Sequence, residues 1–202
     1  TTLVLISAHL FLREGIAARL ASVLFFLLAL LSKVSVVTWP LVLIVYDFQR
    51  TKSVGKTLKR TAPFLTLSLI IGLVNVLWYS YDAVTGADAI NELGAPSRAL
   101  LVGWTTWFYA WKSVVPHPSA FLYPRWDITA ASFIDWIPLL ALLVAVAMVV
   151  VKKKWRDSTQ VRALVAYWLL LFPALGLFTI YFQRYSFVAD HWHYLALPIL
   201  IA

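Results

Sequence analysis

The residues best suited to chemistry lie in one short stretch near the end of the sequence, Gln183 to Pro198. It reads QRYSFVADHWHYLALP and places four polar side chains at the mouth of an apolar segment, namely Arg184, Asp190, His191 and His193. Charge at the edge of a membrane is costly, so such a cluster is a hypothesis for a functional site. The alternative is an ordinary helix entrance, with Asp190 as N-cap and Tyr194 in an interfacial belt.

A metal site is a second interpretation of Asp190, His191 and His193, because carboxylates and imidazoles are common ligands. On a helix, however, side chains two positions apart point to nearly opposite faces. The chain has no Cys, which excludes thiolate sites and thiol catalysis. The sequence therefore predicts no metal ion and no cofactor.

Three cations lie at or near the ends of apolar segments: Lys33, Lys112 and Arg184. A lipid phosphate would be found at that depth, and it needs such donors, with Arg offering a bidentate fork and Lys a point charge. Each cation alone is also explained as an anchor that reaches the headgroups. Convergence of the three would indicate a phosphate site.

Composition sets the class of protein that must position these residues. The 202 residues are 62% hydrophobic and 13% charged, with a mean hydropathy of +0.83, which is too apolar for one soluble core. Ten Trp and nine Tyr fit the aromatic belts of membrane proteins. We therefore predict an all-α fold, a polytopic transmembrane helical bundle. We interpret residues 1–202 as part of one membrane domain that is truncated at both ends.

The apolar run from Leu20 to Tyr46 is longer than one crossing requires. As a single helix it would measure about 40 Å, against a hydrocarbon core of roughly 30 Å. Two short helices that meet near Ser32 and Lys33 place the ammonium at a turn instead of in mid-bilayer. Leu3–Leu12 reads as the tail of a preceding helix.

Three further spans are predicted, followed by a closing segment that begins at His193. The spans are Phe64–Tyr81, with Pro63 near its first turn, then Phe133–Val151 and Ala163–Ile180.

The region 82–132 is predicted to be an external loop that contains an interfacial amphipathic helix. Its first part is polar, and Asp82, Asp88 and Glu92 there are interpreted as solvated. The second part spaces its aromatic residues three and four apart, which predicts a helix in the interface plane. A packing face against neighbouring helices explains the same spacing.

Charge placement favours this layout. Twelve of the seventeen Lys and Arg fall in three segments, one around Arg13, one between Arg50 and Arg60, and one between Lys152 and Arg162. The positive-inside rule then puts all three segments in the cytoplasm, which requires the hairpin interpretation of the first apolar run. We therefore attribute most of the net charge of +8 to cytoplasmic anchoring on anionic lipid headgroups, and no nucleic-acid partner is predicted.

Three blocks along the sequence share the pattern of one family. They are LLSKVSVVTWPLVLIVYDF, then FLYPRWD after an aromatic helix that ends in Lys112, then SFVADHWHYLALP. In this order they resemble bacterial integral-membrane glycosyltransferases of the GT-C class. These are related to the transmembrane and tetratricopeptide-repeat O-mannosyltransferases. The resemblance covers nearly the whole chain.

The resemblance implies transfer of a sugar from a polyprenyl-phosphate donor to a protein or glycan acceptor on the external face of a bacterial inner membrane. Donor-phosphate binding would fall to Lys33, Arg184 and Lys112. The pocket would be lined by Asp190, His191, His193 and Tyr194. The catalytic carboxylate of the family lies in the first external loop, so we expect it upstream of Thr1. Tetratricopeptide repeats are expected beyond Ala202.

Two other classes remain open on the sequence alone. A lipid or sugar transporter needs polar residues at mid-membrane depth, whereas the spans after Pro63 are nearly free of ionisable groups. A non-catalytic membrane anchor for tetratricopeptide repeats would share the topology. It would lack the convergence of cations and Asp190 around a groove.

Overall fold

The computed structural model describes residues 2–85, 93–156, 158–177 and 181–201. Every regular element within these ranges is helical, which confirms the predicted all-α class. The chain divides into two compact units, Thr1–Tyr81 and Asp82–Ala202.

The first unit begins with two helices that pack along each other, α1 (Thr2–Phe11) and α2 (Ile16–Ser32). Gly15 joins them with a φ of +104°, a backbone conformation that glycine adopts without strain. Buried Ser7 and Ser22 exchange hydrogen bonds across the pair, each hydroxyl donating to the other residue's carbonyl at 2.8 and 2.7 Å. Small polar residues let two apolar helices approach closely in this way.

The helix break predicted near Ser32 and Lys33 is confirmed. α2 ends at Ser32, Lys33 is extended, a 3₁₀ segment runs over Val34–Thr38, and α3 follows over Trp39–Thr51. Pro40 lies in the first turn of α3, where its missing N–H costs no helical hydrogen bond.

The long helix α4 (Val54–Thr85) corrects the prediction for Pro63. The proline lies inside the helix, because α4 begins nine residues earlier, within the basic stretch. That early part is held to α3 by an ion pair between Arg60 and Asp47, and within the helix the buried Thr61 hydroxyl donates to the Thr57 carbonyl. The helix also continues past Asp82, so the predicted loop begins later than expected. Its residues Asp88 and Glu92 lie outside the described ranges.

The second unit is built on the helix pair α5 (Ala95–Val114) and α6 (Phe133–Val151), and the predicted bounds of α6 are confirmed. The two helices meet closely at Gly103, where a Cβ would lie 2.6 Å from the backbone nitrogen of Leu139. The Trp107 indole N–H donates to the Pro138 carbonyl at 2.9 Å beside this contact.

The aromatic residues of α5 divide between two environments. Trp104 and Phe108 pack against Trp126, with ring centroids 6.1 and 5.8 Å apart, whereas Trp107 and Trp111 are exposed. The helix therefore uses part of its aromatic stripe for packing against the stretch that follows it, whereas the alternative interpretation of the spacing was packing against neighbouring helices.

The last part of the chain forms several short helices instead of the continuous span that was predicted. A short helix α7 (Lys153–Arg156) leads to α8 (Thr159–Leu171), and a 3₁₀ turn over Phe172–Ala174 ends it well before Ile180. Pro173 explains this end, because proline disfavours helical continuation. The closing segment starts at α9 (Asp190–His193) and finishes with α10 (Leu197–Ile201).

Two helical stretches among the described residues are long and apolar enough to cross a membrane, Val54–Trp78 and Phe133–Val151. The remaining apolar helices are shorter.

Candidate functional site

Lys112 and Asp190 form the centre of the candidate site. Lys112 lies in the last turn of α5 and is only 6% exposed, while Asp190 is the first residue of α9. The ammonium nitrogen lies 3.9 Å from Asp190 Oδ1 and donates a hydrogen bond to the Pro118 carbonyl. It also lies 5.1 Å from the ring centroid of Tyr123, within range of a cation–π contact. The charge of Lys112 is therefore satisfied by protein groups.

The other carboxylate oxygen of Asp190 holds the loop after α5. Asp190 Oδ2 accepts hydrogen bonds from the Ala120 N–H at 3.0 Å and from the Tyr123 hydroxyl at 2.9 Å. Hydrogen bonds to an ionised acceptor are stronger than neutral ones. The interpretation of Asp190 as an N-cap is wrong, since Ala189 occupies that position and the carboxylate turns toward the loop.

His193 is the buried end of a second polar network. Its Nε2 atom lies 2.7 Å from the Tyr167 hydroxyl of α8 and 3.1 Å from the Ser113 hydroxyl of α5. Burial lowers the pKa of His193, and the nearby Asp190 charge opposes this shift. The imidazole is thus held neutral, with Nε2 hydrogen-bonded to the Tyr167 hydroxyl.

Tyr109 extends the network along α5. Its hydroxyl donates to the Ala189 carbonyl at 3.2 Å and accepts from the Ala189 N–H at 3.1 Å. Burial raises the pKa of Tyr109, so the phenol stays protonated. This pair of bonds fixes the backbone immediately before Asp190 against α5.

The lowered pKa of His193 predicts acid sensitivity. The unfolded chain takes up the proton near pH 6.5, and the folded chain does so only at lower pH. Stability is therefore fully present above about pH 6.5 and is lost below it, at no more than about 1.4 kcal/mol per pH unit. We expect the midpoint of thermal unfolding in detergent to fall between pH 7 and pH 5, and to fall less in His193→Gln. An unchanged pH dependence in that variant would contradict this assignment.

The predicted pocket residues His191 and Tyr194 and the predicted phosphate-binding residue Arg184 lie nearer the surface of the second unit. The His191 ring stacks on Phe121 with centroids 5.6 Å apart and an interplanar angle of 21°. The Arg184 guanidinium lies 5.7 Å from the ring centroid of Tyr185, and Tyr194 is 61% exposed. No group of three or more His, Cys, Asp or Glu suited to a metal ion occurs within the described ranges.

Lys33 belongs to the first unit. Its backbone is extended between α2 and the 3₁₀ segment, with φ −157° and ψ 112°. The side chain is exposed, while partial burial of the ammonium lowers the pKa of Lys33. Lys33 is therefore a cation at a helix break, presented at the surface of its unit.

Four residues of the site were missed by sequence reasoning: Tyr109, Ser113, Tyr123 and Tyr167. Tyr123 carried a usable signal, because it belongs to the FLYPRWD block. Ser113 and Tyr167 gave no such signal, because a single serine or tyrosine is common in an apolar helix. They reach His193 only through the packing of the folded chain.

The second unit thus contains a buried polar site, built from one ion pair and one neutral histidine network, inside an otherwise apolar helical structure. No protein-family model, curated protein or solved structure matches the chain. The function is therefore inferred from the chain's own residues.

Proposed function

We propose that the chain is part of a membrane glycosyltransferase resembling the GT-C class. The enzyme would move a sugar from a polyprenyl-phosphate donor to an acceptor, such as a protein hydroxyl. The observation that carries this proposal is the contact between two of the three sequence blocks. Tyr123 of FLYPRWD bonds to Asp190 of SFVADHWHYLALP, 67 positions along the chain, and Lys112 pairs with the same carboxylate.

The proposal includes a polytopic bundle in a bacterial inner membrane, with the site facing the periplasm or exterior. Two helices of sufficient length support it, together with the placement of charge around α6. At one end of α6 lie Asp135 and Trp136, and at the other end lies the run Lys152–Lys154. The positive-inside rule assigns that basic end to the cytoplasm and the Asp135 end to the exterior.

The proposed chemistry is an inverting displacement. The acceptor oxygen attacks the anomeric carbon while the bond from that carbon to the donor phosphate oxygen breaks. A carboxylate takes the acceptor proton, and cations stabilise the departing lipid phosphate. Of the three cations, Lys33 is best suited to the phosphate because its side chain is exposed. Lys112 is buried against Asp190 and would have to exchange that carboxylate for phosphate.

Lys33→Ala is therefore expected to reduce sugar transfer about 10- to 100-fold, the loss that follows removal of one hydrogen bond to a charged group. The measurement is transfer of radiolabelled sugar from polyprenyl-phosphate donors to a membrane acceptor fraction, using the full-length protein. Lys56→Ala is the control. It removes a cation of α4 that is exposed, as Lys33 is, and it should leave transfer unchanged.

The alternatives give different results in the same assay. A transporter or a non-catalytic anchor for tetratricopeptide repeats would show no transfer from any donor. Wild-type transfer that persists in a folded Lys33→Ala protein would remove Lys33 from the donor site.

A further inference from the structure

Buried polar atoms without partners gather around the 3₁₀ segment of the first unit. Ser35 Oγ, Thr38 Oγ1 and Trp39 Nε1 are enclosed by protein and have no hydrogen-bond partner in the described part of the chain. Thr38 and Trp39 are 6% and 7% exposed. In a 3₁₀ helix, side chains three residues apart are eclipsed, so Ser35 and Thr38 lie on one side of the segment.

A fourth such atom lies on the helix that packs against this segment. Ser68 Oγ of α4 is also buried without a partner among the described residues. One turn later, a Cβ at Gly72 would lie 3.1 Å from Val37 Cγ2, so this face of α4 meets the 3₁₀ segment. Residues four apart share a helix face, so Ser68 lies on the face of α4 that meets Val37, whereas Ser35 and Thr38 lie on another side of the 3₁₀ segment.

This concentration of unsatisfied groups points to a ligand. Native proteins pair nearly all of their buried polar atoms, because an unpaired one keeps its full desolvation cost. The three groups of this segment are two hydroxyls and one indole N–H, all neutral, and Lys33 at the start of the segment is at the surface. Burying an anion among neutral groups is much costlier than burying a hydroxyl. The buried neutral groups therefore match the hydroxyls of a sugar as hydrogen-bond partners, and the Lys33 ammonium matches a phosphate.

We infer that Lys33 to Trp39 form a two-part site for a phosphate-linked sugar. Lys33 binds the phosphate, and the Ser35 and Thr38 hydroxyls and the Trp39 indole N–H bind the sugar. This inference rests on the proposed function, which it deepens by assigning the sugar-binding side chains. Because the inner atoms are enclosed, the 3₁₀ segment must open to admit the sugar. Its short i to i+3 hydrogen bonds, such as Val36 N to the Lys33 carbonyl at 3.1 Å, have poorer geometry than α-helical ones.

The test is Thr38→Val, which replaces the unpaired hydroxyl by a methyl group of similar size. Binding of two radiolabelled probes to the purified full-length protein is measured in detergent, polyprenyl-phosphate sugar and polyprenyl phosphate without the sugar. We expect Thr38→Val to weaken binding of the sugar-bearing probe about 3- to 10-fold and to leave the sugarless probe unchanged. Its melting temperature should rise, since a buried unpaired hydroxyl is removed. Lys33→Ala should weaken binding of both probes.

Thr105→Val is the matched control, because the Thr105 hydroxyl already contacts the Leu101 and Leu175 carbonyls, each at 2.8 Å. It should lower the melting temperature and leave both affinities unchanged. Thr38→Val that binds both probes like wild type would overturn the sugar site, while loss of binding in Lys33→Ala would still support the phosphate role. Equal binding of both probes by Lys33→Ala and wild type would overturn the phosphate role itself.

Discussion

Replacement of Arg60 by alanine is expected to lower the free energy of unfolding by about 3 kcal/mol, because it leaves a buried carboxylate without its partner. Arg60 Nη1 lies 3.1 Å from Asp47 Oδ1, and Asp47 is 1% exposed. The second oxygen, Oδ2, is buried without a hydrogen-bond partner among the residues that the structure describes. Among the described residues, Arg60 is therefore the group that compensates the charge of Asp47.

Arg60 also joins three helices of the first unit. Its Nη2 atom donates to the Phe11 carbonyl at 3.3 Å, and its guanidinium lies 5.0 Å from the Phe11 ring centroid. Phe11 in turn packs against Phe64 of α4, with ring centroids 5.6 Å apart. Loss of the guanidinium thus loosens α1 and α3 from α4 at the same point.

The effect is measured by thermal or denaturant unfolding in detergent, followed by tryptophan fluorescence. Lys59→Ala is the matched control, since it removes an exposed cation from the neighbouring position and should change stability by less than about 0.5 kcal/mol. Adding Asp47→Asn to Arg60→Ala should recover most of the loss. A double variant as unstable as the single one would show that the charge of Asp47 is not the cause.

Gly103→Ala is expected to destabilise the second unit by about 3 kcal/mol, at the upper end for overpacking. The new Cβ would lie 2.6 Å from Leu139 N and 2.8 Å from Leu139 Cα, both backbone atoms of α6. A backbone cannot rotate away as a side chain can, so α5 and α6 must separate. The Trp107 hydrogen bond to the Pro138 carbonyl would be lost with the contact.

The displacement also reaches the candidate site, because α5 carries Lys112 two and a half turns after Gly103. Gly55→Ala is the control, since nothing lies within 4 Å of a Cβ at that helical position and alanine favours the helix. We expect that control to raise the melting temperature slightly. A Gly103→Ala protein with wild-type stability would mean that α5 and α6 do not approach as closely as described.

The sequence was informative about helices where charge and proline mark their limits. The break at Lys33 follows from the cost of an ammonium in an apolar run, and α6 is bounded by Ser132 and Lys152 as predicted. Pro63 misled the prediction of α4, because tertiary contacts of Arg60 stabilise helical turns that precede the proline. The end of α8 could have been predicted from Pro173.

The site was predictable only in part. Asp190 and Lys112 stood out as charges at the ends of apolar segments, and the structure brings them within 3.9 Å. Tyr123 belongs to one of the sequence blocks, but its contact with Asp190 could not be deduced, since a contact over 67 positions depends on how α5, α9 and the intervening loop pack. The unpaired hydroxyl of Thr38 could not be predicted from the sequence either. Its neighbours in the fold decide whether a buried Thr has a hydrogen-bond partner.

The two helices of the α5 and α6 pair differ in how much sequence change they should tolerate. None of the α6 residues except Asp135 is fully buried, so most of its positions need only to be apolar, and Leu, Ile, Val and Ala should be interchangeable there. α5 instead needs glycine at position 103 and the side chains of Tyr109 and Lys112. Over evolutionary time, α6 should therefore drift freely in identity while α5 keeps its residues, so that distant relatives are recognised by α5 and by Asp190.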